Sequence, residues 1–233
     1  MFHGRRFTCG DPHGAYLAIK QIFEKSQFDY ENDQLICLGD VADGWSEVPN
    51  CFDELLKIKN LVYILGNHDE WLRSWFKFGN TPYIWTSQGG RATIDAYLKR
   101  FKEDGTPQIQ YKHLKLLEEA PFYHITEDNK LFVHGGFNWK QPIKDQDNYD
   151  LMWDRHLFQT ACMWDQYNIR GVPNKELRIV KTYDEVFIGH TTTSRIDASL
   201  KPVHVSNVWN LDQGCGWEGK LTLMNIDTKE FFQ

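Results

Sequence analysis

The chain has 233 residues, 41% of them hydrophobic and 15% aromatic, and a formal net charge of -6. That is enough apolar material for one sizeable core, so a single domain over residues 1–233 is the economical reading. The acidic balance, with no Lys/Arg block, argues against a general nucleic-acid-binding surface and leaves at most a local basic rim; no run of 18 apolar residues exists, so no membrane span is predicted.

The N-terminal stretch MFHGRRFTCGD is basic but has no apolar run before a cleavage site, so it does not read as a signal peptide. RRFTCGD itself reads as a short strand ending at Asp11. After Gly14, Ile19, Ile22 and Phe23 recur at i, i+3, i+4, the spacing of a helix. Gln34 to Leu38 is a buried strand running into Gly39-Asp40. Val48, Phe52, Leu55 and Leu56 form the stripe of an amphipathic helix. Leu61 to Leu65 is a further apolar strand, ending at Gly66-Asn67. Alternating strands and helices predict an α/β fold whose parallel strands gather their C-terminal ends at one edge, where ligands bind.

Residues from about 71 to 120 read as helical, with Gly89-Gly90 breaking one helix from the next. Lying between two motifs, this insert is expected to cap the site. Lys130 to Val133 and Glu185 to Ile188 are strands ending at His134 and at Gly189-His190. The C-terminal VHVSNVWNLDQGCGWEGKLTLMNID alternates apolar and polar residues around Gly-rich turns, which predicts antiparallel strands of a second sheet. The five cysteines (Cys9, Cys37, Cys51, Cys162, Cys215) are odd in number and show no CxxC spacing. Reduced thiols in a cytoplasm are therefore expected.

Five motifs stand where apolar strands run into loops: GDPHG (Gly10 to Gly14), GDVADG (Gly39 to Gly44), GNHDE (Gly66 to Glu70), VHGG (Val133 to Gly136) and GHT (Gly189 to Thr191). One GD dipeptide alone is a turn signal, and a lone His is more often structural. Five such motifs in order, each after a strand, supply a set of Asp, Asn and His donors that suits two divalent cations, Mn first and then Fe, Zn or Ni. Asp11, His13 and Asp40 are assigned to one cation, and Asp40, Asn67, His134 and His190 to the other, with Asp40 bridging. His3, His113, His124, His156 and His204 lack such a context and are read as structural.

In these motifs the chain resembles the calcineurin-like metallophosphoesterases, within them the phosphoprotein-phosphatase branch and its small bacterial and phage type. The likeness extends to GG-x-x-T at Gly89 to Thr93, W-x-R at Trp153 to Arg155 and LDQG at Leu211 to Gly214. It implies a two-sheet sandwich flanked by helices, four layers in the order α/β/β/α. It implies a metal-dependent phosphatase in which a hydroxide bridging the metals attacks phosphorus in line. His68 is then the general acid, Asp43 orients it, and Asn67 and Arg155 bind the phosphate. One position departs from the pattern: Gly44 stands where the branch carries a phosphate-clamping Arg. Arg155 is expected to carry that load, while Arg73 and Arg91 read as a solvated helix face.

Hydrolysis of phosphate monoesters, phosphoproteins included, is the first expectation. The alternative is a dinucleoside polyphosphate hydrolase. A phosphodiesterase or nuclease ranks lower, because Thr192 follows GHT where nuclease-like relatives place a second His. A non-enzymatic scaffold ranks lowest, because such proteins drop ligands and this chain keeps all of them. Trp45 and Trp139 are the tryptophans expected to wall a substrate cleft, and core packing is the default for the rest.

Overall fold

The computed structural model describes residues 4–107, 109–168 and 178–233; His3 lies outside them. The first half alternates strand and helix. β1 (Arg6–Cys9), α1 (Tyr16–Ser26), β2 (Gln34–Cys37), α2 (Val48–Leu55), β3 (Asn60–Tyr63) and α3 (Asn67–Phe78) follow in order. The single turn α4 (Tyr83–Trp85), α5 (Arg91–Asp104) and α6 (Tyr111–Glu119) complete the helical stretch. Then come β4 (Tyr123–Ile125), β5 (Lys130–Val133), α7 (Asn148–Trp153), α8 (His156–Asn168), β6 (Glu185–Ile188), β7 (Val203–Val205), β8 (Val208–Asn210), β9 (Asp212–Gln213), β10 (Lys220–Leu221), β11 (Leu223–Asn225) and β12 (Phe231–Phe232).

Two five-stranded sheets result, in the orders β12-β11-β1-β2-β3 and β4-β5-β6-β8-β7. β1, β2 and β3 are parallel, and so are β5, β6 and β8. Strand alternation decides which side chain meets which layer. Ile36, Leu38, Ile64, Phe132, Phe187, Leu211, Met224 and Ile226 form the core between the sheets. There Phe132 and Phe187 stack at 4.7 Å. The alternate residues Leu35 and Cys37 turn to a core shared with α1, α2, α3, α5 and α6. Leu131, Val133, Val186 and Ile188 turn to one shared with Leu151, Leu157 and Phe158 of α7 and α8. Three apolar interfaces define four layers, α/β/β/α.

The C-terminal segment corrects one expectation. Its strands do not all join the second sheet. β7 and β8 do, with β8 parallel to β6, but β11 and β12 pair antiparallel on the open edge of β1 in the first. A period of two states which face of a strand is buried; it carries no information on which edge the strand joins. The other expected strands and the first two helices form within two or three residues of their predicted bounds, while the helical stretch expected from about residue 71 begins earlier, at Asn67. No described helix is long and apolar enough to cross a membrane, and the described cysteines form no disulfide.

Candidate metal centre

Strand ends from both sheets meet at one edge. β1 runs into Asp11 and His13, β2 into Asp40 and Asp43, and β3 into Asn67 and His68 at the first turn of α3. From the second sheet, β5 runs into His134 and β6 into His190. One ligand atom each from Asp11, His13 and Asp40 lies within 4.8 Å of the other two, and Asp40, His134 and His190 form a second such group. Asp40 belongs to both. Asn67 Oδ1 lies 3.1 Å from His134 Nε2, and Asp40 Oδ2 lies 3.2 Å from the same nitrogen. The structure thus brings together all six side chains assigned from the motifs, none more than 6% exposed.

The backbone is bent to achieve this. His13, Asp40, Asp43 and His190 have φ of +45°, +48°, +72° and +61°, in the left-handed region that non-glycine residues rarely occupy. Such outliers persist where surrounding structure over-determines them, as at functional sites. Glycine is required beside two of the carboxylates. A Cβ on Gly66 would lie 2.1 Å from Asp40 Oδ1, and one on Gly189 would lie 2.1 Å from Asp11 Oδ1.

Two imidazoles are oriented by main-chain acceptors. His134 Nδ1–H donates to the Leu38 carbonyl at 2.7 Å, and His13 Nδ1–H donates to the Ala42 carbonyl at 2.9 Å. Each turns Nε2 toward the cleft, the arrangement that metal-binding histidines use. At His134 burial opposes charge, but Asp40 outweighs it and raises the pKa to about 10, so the ring holds a proton that a cation would replace. His190 Nε2 and Asp11 Oδ1 are buried without any hydrogen-bond partner among the described residues. Buried polar atoms are nearly always satisfied, so two orphans in one cleft, one in each ligand group, point to an ion between them. Burial, then His134 and Arg155, push the His190 pKa down to about 2, so its imidazole is the neutral form a metal binds. Burial followed by the Asp212 carboxylate raises the Asp11 carboxyl well above its usual range, a repulsion that cations would relieve. The residues present fit divalent cations.

Asp69 had no assigned role in the sequence, and it organises the loop that carries Asp40. Its buried carboxylate accepts the amides of Asp40 (2.7 Å), Val41 (3.0 Å), Ala42 (3.0 Å) and Gly66 (3.2 Å). The only local signal was an acid at the third helical position, where capping carboxylates occur. An amide keeps one acceptor oxygen and turns an NH2 toward these donors. Asp69→Asn should therefore destabilise the fold by about 2–4 kcal/mol, measured as a lowered midpoint in urea unfolding. An unchanged midpoint would remove Asp69 from this role.

The histidine beside Asn67 faces a carboxylate. His68 Nδ1 lies 2.6 Å from Asp43 Oδ2. Burial opposes charge on His68, but Asp40 and Asp43 outweigh it and raise its pKa. Behind Asp43 stand Trp85 and Thr93 from the helical stretch. Arg155 is exposed and pairs with no described carboxylate; it lies in the electrostatic reach of His190, beside Trp153, whose ring meets His190 edge-on at 5.7 Å. Arg73 pairs with Glu70 and Arg91 with Asp95 along their own helices, as expected for a helix face.

Aromatic rings crowd this edge. Trp217, 59% exposed, meets His13 edge-on at 5.5 Å. Trp45 is half exposed and donates its Nε1–H to the Cys215 carbonyl. Trp71 lies against both His68 and Trp153, and the exposed Tyr149 stacks on Trp153 at 5.7 Å. Trp139 instead stacks on His156 and lines a cavity of about 510 Å³ with Tyr123, Phe137, Ile143 and Tyr183. The other described histidines are occupied in packing: His113 lies between Tyr97 and Asp53, His124 against Phe132, and His204 on Trp209.

Comparison with known proteins agrees with this geometry. The chain is 26% identical to a bis(5'-nucleosyl)-tetraphosphatase [asymmetrical] of Anoxybacillus flavithermus, over 95% of this chain and 90% of that one. It is 24% identical to a symmetrical bis(5'-nucleosyl)-tetraphosphatase of Coxiella burnetii, over 97% and 90%. Among solved structures, one described as a putative diadenosine tetraphosphatase superposes with a TM-score of 0.66 at 17% identity, covering 98% and 92%. A serine/threonine phosphatase from Saccharomyces cerevisiae superposes with 0.57 at 14%, covering 97% and 74%. The calcineurin-like phosphoesterase model matches residues 5–194. With those residues come nearly every strand end that builds the site, and the chain belongs to the calcineurin-like metallophosphoesterases, hydrolases of phosphate esters that depend on divalent metal.

Proposed function

We propose that this chain is a two-metal phosphoesterase whose substrates are dinucleoside polyphosphates. The observation that carries the metal count is the pair of ligand groups sharing Asp40, each with one orphaned buried atom. Asp11, His13 and Asp40 hold one cation, and Asp40, Asn67, His134 and His190 hold the other, with Mn ahead of Fe, Zn or Ni for this oxygen and nitrogen set. When bound, such cations polarise phosphoryl oxygens and acidify a water molecule.

The chain's own residues supply the rest. His68, with Nδ1–H committed to Asp43, offers Nε2 as the nitrogen that passes a proton to the leaving oxygen. Arg155, exposed and unpaired with any described carboxylate, takes the phosphate, and Asn67 contacts it at the metal edge. Residues 71–120 act as the helical cap of a single domain. The thiols, none paired in a disulfide among the described residues, support a cytoplasmic setting.

The names of the relatives and the exposed rings support the substrate class. Trp217 presents an open indole face beside His13, and base–aromatic stacking contributes about 1–3 kcal/mol per base. Trp217→Ala should raise KM for diadenosine tetraphosphate about fivefold or more, and leave KM for p-nitrophenyl phosphate unmoved. Equal effects on both substrates would dispose of stacking.

Phosphate monoesters, which the motifs put first, become the competitors in a direct test. Protein stripped of metal and reloaded with Mn would be offered p-nitrophenyl phosphate, its bis ester, a phosphopeptide and diadenosine tetraphosphate. The highest kcat/KM is expected on the last, with none on the bis ester. A phosphopeptide that outruns it overturns the substrate class. Failure to take up two ions per chain overturns the two-metal site.

A further inference from the structure

We propose that Trp85 and Thr93 are positioning residues for the proton-transfer pair, a role that rests on the reading of His68 as general acid. Both come from the helical stretch, and neither bonds to any of the six ligand candidates among the described residues. Their polar atoms go to Asp43 instead. Trp85 Nε1 lies 3.0 Å from Asp43 Oδ1 and 2.9 Å from Oδ2, so one N–H is shared by both carboxylate oxygens. Thr93 Oγ1–H donates to Asp43 Oδ1 at 2.7 Å, and Thr93 Oγ1 in turn accepts the Asp43 main-chain N–H at 2.9 Å. With His68 Nδ1 at 2.6 Å, three donors converge on one carboxylate.

Asp43, Trp85 and Thr93 are all 0% exposed. Out of reach of bulk solvent, the carboxylate is held in one orientation by its three donors, and the imidazole it bonds is held with it. A buried indole N–H needs an acceptor in any case; what singles this one out is that its acceptor is the group that orients His68. An indole N–H can only donate, and an ionised carboxylate can only accept.

The chain between them is shaped to make the approach. Thr86–Gly90 is a kink between α4 and α5, where Gln88 and Gly89, the latter at φ +102°, leave helical geometry. A Cβ on Gly89 would lie 2.7 Å from the Gly44 amide, and one on Gly90 would lie 2.4 Å from Trp85 Nε1. Two consecutive glycines thus let the helix start press against the loop of Asp43 and against the indole that bonds it. The GG-x-x-T pattern follows from this: the glycines give the approach and the threonine, three residues on, gives the hydroxyl. The stretch from Trp85 to Thr93 is built around Asp43, so the insert takes part in proton transfer in addition to shaping access to the site.

The test reads leaving-group sensitivity, which a merely structural role does not change. Mn-loaded wild type, Trp85→Phe, Thr93→Val, Thr93→Ser and His68→Asn would be assayed on phosphate monoesters from 2,4-dinitrophenyl to alkyl. For Trp85→Phe and Thr93→Val, the slope of log kcat against leaving-group pKa should steepen, with about a tenfold loss at the alkyl end and the smallest loss at the dinitrophenyl end. Bound Mn and KM should not change, and Thr93→Ser, which keeps the hydroxyl, should recover the wild-type slope. A loss that is uniform across the series in both Trp85→Phe and Thr93→Val, with His68→Asn still steep, overturns the positioning role alone. A flat response from His68→Asn overturns the acid assignment and this inference with it.

Discussion

Replacing Asp40 with Asn should abolish turnover of every phosphate ester and remove most of the stabilisation that metal gives the fold. Asp40 is the one side chain common to both ligand groups, so its loss should reach both of the proposed cations. The amide still offers an oxygen where Oδ1 now accepts the His68 main-chain N–H at 2.9 Å. The loop should therefore stay folded while the bridging charge is gone. Removing a hydrogen-bond partner behind a metal ligand typically lowers affinity or activity about 10–100-fold, and removing the shared ligand itself should exceed that. At a free metal concentration near 100 times Kd, binding stabilises a fold by about 2.7 kcal/mol per site. For a chain of this size that is a rise in Tm of about 5–11 °C. Chelation, which empties both proposed sites, should lower the wild-type Tm by about twice that amount and Mn should restore it, whereas Asp40→Asn should respond weakly. Elemental analysis finding two ions in the variant would remove Asp40 from the bridge.

His68→Asn should leave the metal content intact and selectively slow difficult substrates. His68 is not in either ligand group; its ring is tied to Asp43. General acid catalysis contributes about 10²–10⁴-fold, and the contribution is largest where the departing oxygen is most basic. The expected loss therefore falls near the upper end of that range for alkyl phosphates and shrinks for dinitrophenyl phosphate, which leaves without a proton. Wild-type kcat on an alkyl phosphate in this variant would assign the proton to another group.

The metal edge was legible because its residues follow strands. Each of β1, β2, β3, β5 and β6 is a short apolar run, and the polar residue just past it has nowhere to go but the sheet edge. Position in the chain was therefore nearly position in space. Asp69, Trp85 and Thr93 were harder to read because their partners lie 27 to 50 residues away across a loop. GNHDE displayed Asp69 and GG-x-x-T displayed Thr93, but no periodicity states what a buried carboxylate or hydroxyl will bond. Trp85 carried even less signal, since a large aromatic in a helical stretch is ordinarily core. The same limit explains β11, whose alternation fits either sheet. Trp217 was passed over because its neighbour His13 lies two hundred residues earlier in the chain, and an exposed ring has no pattern to announce it.

The pairing of β11 with the outer edge of β1 bears on how the molecule is made. Phe7 faces Asn225 and Cys9 faces Leu223, so β1 is synthesised long before the strand that covers its outer edge. Until then its outer backbone groups have no partner, and an unpaired apolar edge is a template for joining another chain. A nascent polypeptide stalled or clipped short of Leu223 would expose that template, so chaperones should bind this protein most in the interval before β11 has been made.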